Sequence, residues 1–340
     1  MAWCKLRWIV LLLVILFFDV IDSAAQLPTF TQYAQNQLNI NPAFAGYFDE
    51  DLKFDAIYRR QSYSNLITTS YYNADFQLKP FKEFIPEQDV FGLGFNMYST
   101  KSLSVYSEQS ASASLSYSKG FDEEANHSLS LGFQCRYNSK RIDYTQLLFP
   151  NQFDIVGYNF QIPNNEPIQA LNAQYIDINA GILYSMKNDN EEFTTGFSMY
   201  NLNQSSGAKT LLQNRPAVTY MFHTGYSKYL TANSQVFFGL LYSTLKSENA
   251  TSIIASYGYN GQPDFEYSLN LGVIYQWNNL VSPFVSLGTN SFKFLVTYDI
   301  PINTNIQNLK SSSLEFGFQY SFSKLSSDLS LVKRHLSCFK

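Results

Sequence analysis

From about residue 50 onward the chain alternates: apolar residues take every second position, and small or polar residues fill the positions between. Over 128–138 the odd positions read Leu129, Leu131, Phe133, Cys135 and Tyr137, against Ser128, Ser130, Gly132, Gln134, Arg136 and Asn138 on the even ones. Residues 313–322 set Leu314, Phe316, Phe318, Tyr320 and Phe322 against Ser313, Glu315, Gly317, Gln319 and Ser321. In 265–277 Phe265, Tyr267, Leu269, Leu271, Val273, Tyr275 and Trp277 stay in register, and in 110–118 serine alternates with Ala111, Ala113, Leu115 and Tyr117. A period of two marks strands whose two faces meet different surroundings.

A soluble β-sandwich alternates too, so strand length and face chemistry must decide. Sandwich strands commonly have about 5–6 residues. Runs such as 128–138 and 265–277 are about twice that, the length a tilted strand needs to cross a bilayer. The apolar faces begin or end in Tyr117, Tyr137, Phe265, Trp277 and Phe322, as interfacial aromatic girdles require. Lipid offers backbone groups no hydrogen bonds, so such strands must close on themselves.

The pattern predicts strands near 52–61, 66–78, 89–99, 106–119, 127–138, 174–186, 192–201, 217–229, 234–243, 251–259, 265–277, 281–287, 291–299 and 312–323, with Pro283 interrupting 281–287. If the first runs outward, short turns at 79–88, 120–126, 187–191, 230–233, 260–264 and 288–290 share one end. The longer connections 139–173, 202–216 and 300–311 then share the other, the asymmetry of bacterial outer-membrane barrels. The expected fold is all-β: a single closed antiparallel transmembrane β-barrel of about 14 strands over 51–323, with a periplasmic tail at 324–340.

Composition narrows the function. Of 340 residues 45% are hydrophobic, 17% aromatic and only 15% charged, which argues against intrinsic disorder. A net charge of -4 lacks the basic field that nucleic-acid binding needs. After position 25 no apolar run approaches the roughly 20 residues of a spanning helix.

The start of the chain reads as a secretory signal. Lys5 and Arg7 precede the apolar stretch Trp8 to Phe18, Asp22 ends the apolarity, and Ser23-Ala24-Ala25 offers a cleavage site between Ala25 and Gln26. Cys4 lies ahead of the apolar stretch, so the exported chain keeps Cys135 and Cys338, too few for a disulfide scaffold. Export followed by barrel insertion implies the outer membrane of a Gram-negative bacterium, with outer-membrane lipid around the barrel. Residues 26–50 are polar, aromatic and non-alternating, with a turn signal at Asn41-Pro42. They either plug the lumen or lie at its periplasmic mouth.

Phe30-Thr31-Gln32-Tyr33 followed by Asn39-Ile40-Asn41-Pro42-Ala43-Phe44-Ala45-Gly46 resembles the opening of the PorP/SprF family, outer-membrane barrels of the type IX secretion system. Tyr58-Arg59-Arg60-Gln61 is similar to that family's first-strand motif, and Asp177 through Tyr184 to its mid-chain motif. Gly196-Phe197-Ser198 with Asn201-Leu202, then Tyr298-Asp299 and Leu314-Glu315 through Phe322, resemble its later strands. This chain has Leu314-Glu315 where the family often has His-Glu, and Cys338-Phe339 lacks the proline of a Cys-Pro ending. The resemblance implies an accessory role in secreting or retaining cargo, including gliding adhesins, at the cell surface. It also implies as partners other type IX components and cargo bearing a C-terminal secretion domain, and it marks Tyr33, Asn41, Pro42 and Gly46 as family-motif or plug residues.

Catalysis finds little support in the residues. Of three histidines, His127 sits in a turn, His335 in the tail, and His223 on a polar strand face with no serine at informative spacing. A hydrogen-bonded lumen histidine is the simpler reading, and no enzyme activity is expected. No His/Cys/Asp cluster has metal-ligand spacing and no phosphate- or dinucleotide-binding loop occurs, so no metal or other cofactor is expected.

The polar faces carry charges of both signs: Lys53, Asp55, Arg59, Asp75, Arg136, Asp177, Lys293, Asp299 and Glu315. Closure makes the first and last strands neighbours, which brings Lys53, Asp55 and Arg59 towards Glu315. These charges form either a compensating lumen network or an anchor for the 26–50 segment. Loop 139–173, with Tyr144, Phe149, Phe153, Tyr158 and Phe160, is the candidate external contact surface or else folds inward as a constriction. The rival function is an outer-membrane channel or hydrophobic-solute transporter.

Overall fold

The structure is a computed structural model. It describes residues 30–62, 67–78, 86, 88–102, 105–122, 125–143, 149–154, 157–159, 161–162, 171–204, 217–245, 248–261, 267–289, 291–302 and 312–323. The leader with Ala25 and Gln26, the 324–340 tail, and Tyr144 and Phe160 lie outside the described residues.

Each alternating run forms a strand. These are β1 (Leu52–Ser62), β2 (Ile67–Leu78), β3 (Val90–Ser102), β4 (Tyr106–Gly120), β5 (His127–Ile142), β8 (Leu171–Lys187), β9 (Glu191–Tyr200), β10 (Thr219–Thr231) and β11 (Ser234–Leu245). There follow β12 (Glu248–Asn260), β13 (Tyr267–Gln276), β14 (Leu280–Thr289), β15 (Phe292–Pro301) and β16 (Ser312–Phe322). Between β5 and β8, β6 (Phe153–Asp154) and β7 (Gly157–Tyr158) form a separate two-stranded sheet. The other fourteen close into one barrel. Its seam is the antiparallel pair β1–β16, in register from Leu52↔Phe322 to Ser62↔Ser312. Closure leaves no edge strand with unpaired backbone groups, which a hydrocarbon environment requires.

The side chains are arranged inside out relative to a water-soluble domain. Phe133 is 62% exposed and Met97 60%, whereas Glu315, Asn179 and Ser282 are fully buried facing the lumen. Pro283, expected to interrupt its strand, faces outward within β14. Pairing stays in register at Val273↔Pro283 but lapses towards β15 between Val281↔Ile300 and Phe284↔Thr297. The missing N–H weakens one ladder locally without shifting it.

Several strands run further than the alternation predicts, β5 and β8 among them. β5 continues to Ile142 and β8 begins at Leu171, because Ser139, Lys140 and Arg141 still pair with Gln174, Ala173 and Asn172. Beyond the apolar band both faces meet polar surroundings, so the hydropathy pattern ends before the hydrogen bonding does. The 139–173 connection is correspondingly shorter than expected. The wall is also uneven: β3, β4, β5 and β8 have 13, 15, 16 and 17 residues, against 10 in β9, β13, β14 and β15.

β1 begins and β16 ends at the same rim, here the termini rim. The strand ends joined by the long connections 143–170, 201–218 and 302–311 are all at the opposite, far rim.

Candidate functional site

Residues 30–50 run through the lumen, from the level of Glu315 down to the termini rim. Three short 3-10 turns, Tyr33–Gln35, Gln37–Asn39 and Pro42–Phe44, keep the chain tightly coiled. The third turn is set by its sequence. Extended Asn41 caps it by accepting from Ala43 N at 2.9 Å, and Pro42 occupies its first position, where a missing N–H costs nothing. Gly46 then turns at φ +69°, where an added Cβ would lie 2.6 Å from Gly92 Cα.

Hydrogen bonds from the strands hold both the backbone and the side chains of this segment. Thr31 N and Gln32 N donate to the two oxygens of Glu315 at 2.8 and 3.1 Å, and Thr31 Oγ1 donates to Asp299 at 3.0 Å. Gln134 Nε2 donates to Leu38 O at 3.1 Å, Arg136 Nη2 to Asn39 Oδ1 at 2.7 Å, and the Ser198 hydroxyl to Ile40 O. Ser116 donates to Ala45 O, and Gly46 N donates to Asp75 Oδ1 at 2.8 Å. Asn41 Nδ2 donates to Ile182 O at 2.9 Å and lies 3.1 Å from His223 Nε2, which therefore accepts and leaves the ring proton on Nδ1. The His223 ring also lies 4.8 Å from that of Phe44, so this histidine belongs to the packing of the segment.

Near the rim, Tyr47 donates to Glu192 at 2.8 Å. Burial, and then the Glu192 carboxylate, raise the Tyr47 hydroxyl well above the usual tyrosine range. Gln77 Nε2 donates to Phe48 O at 2.9 Å, and Lys187 pairs with Asp49 at 3.2 Å.

Inward-facing glycines make the space. A Cβ on Gly92 would overlap Ala45, on Gly94 Leu38, on Gly132 the Pro42–Ala43 peptide, on Gly181 Asn41, and on Gly317 Gln35. Five glycines on four strands thus form a cradle fitted to the chain passing over it. In the alternation pattern these positions count only as part of a polar lumen face. The available signal was glycine recurring inside strands, which marks close approach by another backbone.

The other sequence-derived residues fall as follows. Arg59 pairs in register with Glu315, its Nε 3.5 Å from Glu315 Oε1 and its Nη2 3.0 Å from Asp299 Oδ2. It thus bridges the two carboxylates that hold Thr31 and Gln32. Lys53 reaches instead towards Gln37 Oε1 at 3.3 Å and lies 5.2 Å from the Phe48 ring centroid, while Asp55 accepts from Asn73 at 3.0 Å. Asp177 accepts from Asn138 at 2.6 Å. The charges thus form separate groups along the lumen. Tyr33 is buried against Ile254, Ile274, Phe284 and Leu295, its hydroxyl occupying the space beside Gly239. In the long connection Phe149 is half-buried, Phe153 is 60% exposed, and Tyr158 belongs to the small β6–β7 pair. Among the described residues no cluster of His, Cys, Asp or Glu could hold a metal.

A closed antiparallel barrel, apolar outside and polar inside, with its own N-terminal segment held across the lumen, defines the class of a membrane β-barrel. Solved structures of the same class are similar in fold. The Pseudomonas putida toluene transporter TodX matches with TM-score 0.48 at 9% identity over 83% of this chain and 91% of that one. The CymD monoaromatic hydrocarbon channel matches with TM-score 0.48 at 10% identity over 88% and 95%. CdiB from Acinetobacter baumannii matches with TM-score 0.47 at 12% identity over 81% of this chain, which spans 60% of CdiB. The chain has no significant match among curated protein sequences. Residues 22–320 match the family described as Type IX secretion system membrane protein PorP/SprF, and the chain belongs to that family.

Proposed function

We propose that this protein is a non-enzymatic outer-membrane component of the type IX secretion system that helps secrete or retain specific cargo at the cell surface. In this reading the leader is removed on export, the termini rim faces the periplasm and the secretion machinery, and the far rim faces outward. The far-rim connections hold cargo, gliding adhesins or other proteins with a C-terminal secretion domain. The observation that carries this reading is the lumen segment. Its backbone is bonded by side chains from β2, β4, β5, β9 and β16, and its own side chains bond to β8 and β15, so the lumen is filled by the protein itself and the rims become the working surfaces.

Deletion of residues 27–46 tests the role of the segment as a plug. Planar-bilayer conductance is expected to be near zero in the parent and to rise on deletion. Near-zero conductance in both would count against it. The cargo assignment is tested by deleting the gene and measuring surface adhesins and spreading on agar. Unchanged surface cargo, together with solute uptake by the purified barrel in liposomes, would favour the channel or hydrophobic-solute transporter instead.

A further inference from the structure

The taller side of the barrel carries an outward-facing row that neither the lumen segment nor the far-rim connections explain. Strand register places Arg60, Thr68, Lys101, Ser107 and Arg141 side by side on β1, β2, β3, β4 and β5. The outward row beneath it reads Tyr58, Ser70, Ser99, Gln109 and Ser139, and the next Ala56, Tyr72, Met97, Ala111 and Tyr137. Three cations thus stand above a band of hydroxyls and one amide, which stands above the apolar belt. Lys101 and Arg141 lie four residues beyond Met97 and Tyr137, about 13 Å along the strand, and the row spans four strand spacings, about 19 Å. Because barrel strands tilt, the row runs obliquely to the rim.

Charge is uneven around the far rim. Arg60, Lys101 and Arg141 are exposed, and Asp143 lies 3.2 Å from Arg141 in a pair whose arginine side chain is 59% exposed. Such a pair is weak and leaves most guanidinium donors available. On the opposite side the outward far-rim positions are uncharged among the described residues: Tyr220, Thr244, Tyr275, Trp277 and Ile300. At the termini rim the charges are mixed: Lys228 is bonded to Glu191 at 2.6 Å, and Lys119, on a separate part of the rim, is exposed. A cationic row placed where lipid headgroups begin, with hydroxyls and an amide below it, is suited to phosphate and sugar. A protein partner would instead favour an apolar patch centre.

We propose that Arg60, Lys101 and Arg141, with the hydroxyls between and below them, bind the phosphorylated headgroup of an outer-leaflet glycolipid. Arginine forks take phosphate oxygens in pairs, lysine adds a point charge, and Thr68, Ser99 and Ser107 bond to the sugar. Only the choice of leaflet rests on the outward orientation given above.

The test uses the full mature chain in zwitterionic detergent, with native mass spectrometry counting retained lipid. The probes are diphosphorylated lipid A, the same lipid dephosphorylated, phosphatidylglycerol and inorganic phosphate. The parent is expected to retain the diphosphorylated form about tenfold better than the dephosphorylated one, and the variant Arg60→Gln/Lys101→Gln/Arg141→Gln to lose about tenfold of that affinity. Lys119→Gln/Lys228→Gln is expected to retain the lipid as the parent does. If the triple variant does not fold, as read from heat-shifted gel migration, Lys101→Gln and Arg141→Gln alone should each weaken retention about threefold. Undiminished retention by the folded variants would overturn the proposal. So would phosphatidylglycerol held equally well, or inorganic phosphate displacing the lipid at equal concentration. Labelling of Lys101→Cys in intact cells by a membrane-impermeant maleimide reports orientation separately. Without labelling the leaflet assignment falls, whatever the detergent measurements give.

Discussion

Two walls of one lumen solve the same packing problem differently. On β3, β5, β8 and β16 the inward positions Gly92, Gly132, Gly181 and Gly317 withdraw, so that residues 35–45 lie directly on strand backbone. On β11 to β15 the wall fills its own space with Phe237, Ile254, Ile274, Phe284 and Leu295, and of the lumen segment Tyr33 packs into that cluster. Glycine occurs on this wall too, but there it receives rings: Phe284 from the neighbouring strand lies over Gly272, and Tyr33 of the segment reaches Gly239 with its hydroxyl. At Gly92 and Gly132 the first wall is specific for one chain path, because the segment's backbone there cannot shift to admit a Cβ. The second is held by apolar burial, which is less directional.

Substitutions can separate the two walls. The largest effect is expected from Phe284→Ala, which should lower barrel unfolding stability by about 3–5 kcal/mol through lost burial and a cavity. Thermal unfolding followed by gel migration reads this, and hydrogen exchange at 38–46 should hardly change. Gly132→Ala should do the reverse. Its Cβ meets the Pro42–Ala43 peptide, so protection of 38–46 should fall by about 3 kcal/mol in exchange rates while the barrel stays folded. Gly272→Ala, whose Cβ meets Phe284 and Ser256 of the barrel wall and no residue of the lumen segment, is the matched control, and equal loss of segment protection in both would erase the distinction.

Glu315→Gln removes the charge shared by Thr31 N, Gln32 N and Arg59, and should release residues 31–33 by about 1.5–3 kcal/mol, again read by exchange. Smallest should be Lys187→Gln. Its pair with Asp49 is largely exposed, so the change should stay within about 1 kcal/mol in the same assay.

The barrel could be read from the chain because lipid and lumen impose opposite demands on successive residues, and all fourteen strand positions follow from that alternation. That β1, with Lys53, Asp55 and Arg59, lies beside the strand of Glu315 was also foreseeable, since a closed sheet must join its first and last strands. The strand extensions at 139–142 and 171–173 were not, because the hydropathy contrast ends with the apolar belt while backbone pairing does not. Nor could the sequence distinguish the roles of Lys53 and Asp55 from that of Arg59. All face the lumen, yet which neighbour each finds depends on how far along the tilted wall it stands.

By itself, then, the sequence determined the barrel, its inside-out faces and the turn at Asn41-Pro42, all of which depend on neighbouring residues and the surrounding solvent. Tertiary structure alone decided which glycines cradle the segment, that Asn41 meets His223, and that Glu315 holds Thr31 and Gln32. The Asn41 and Glu315 contacts join residues 182 to 284 positions apart, and only closure of the sheet brings them within hydrogen-bond distance.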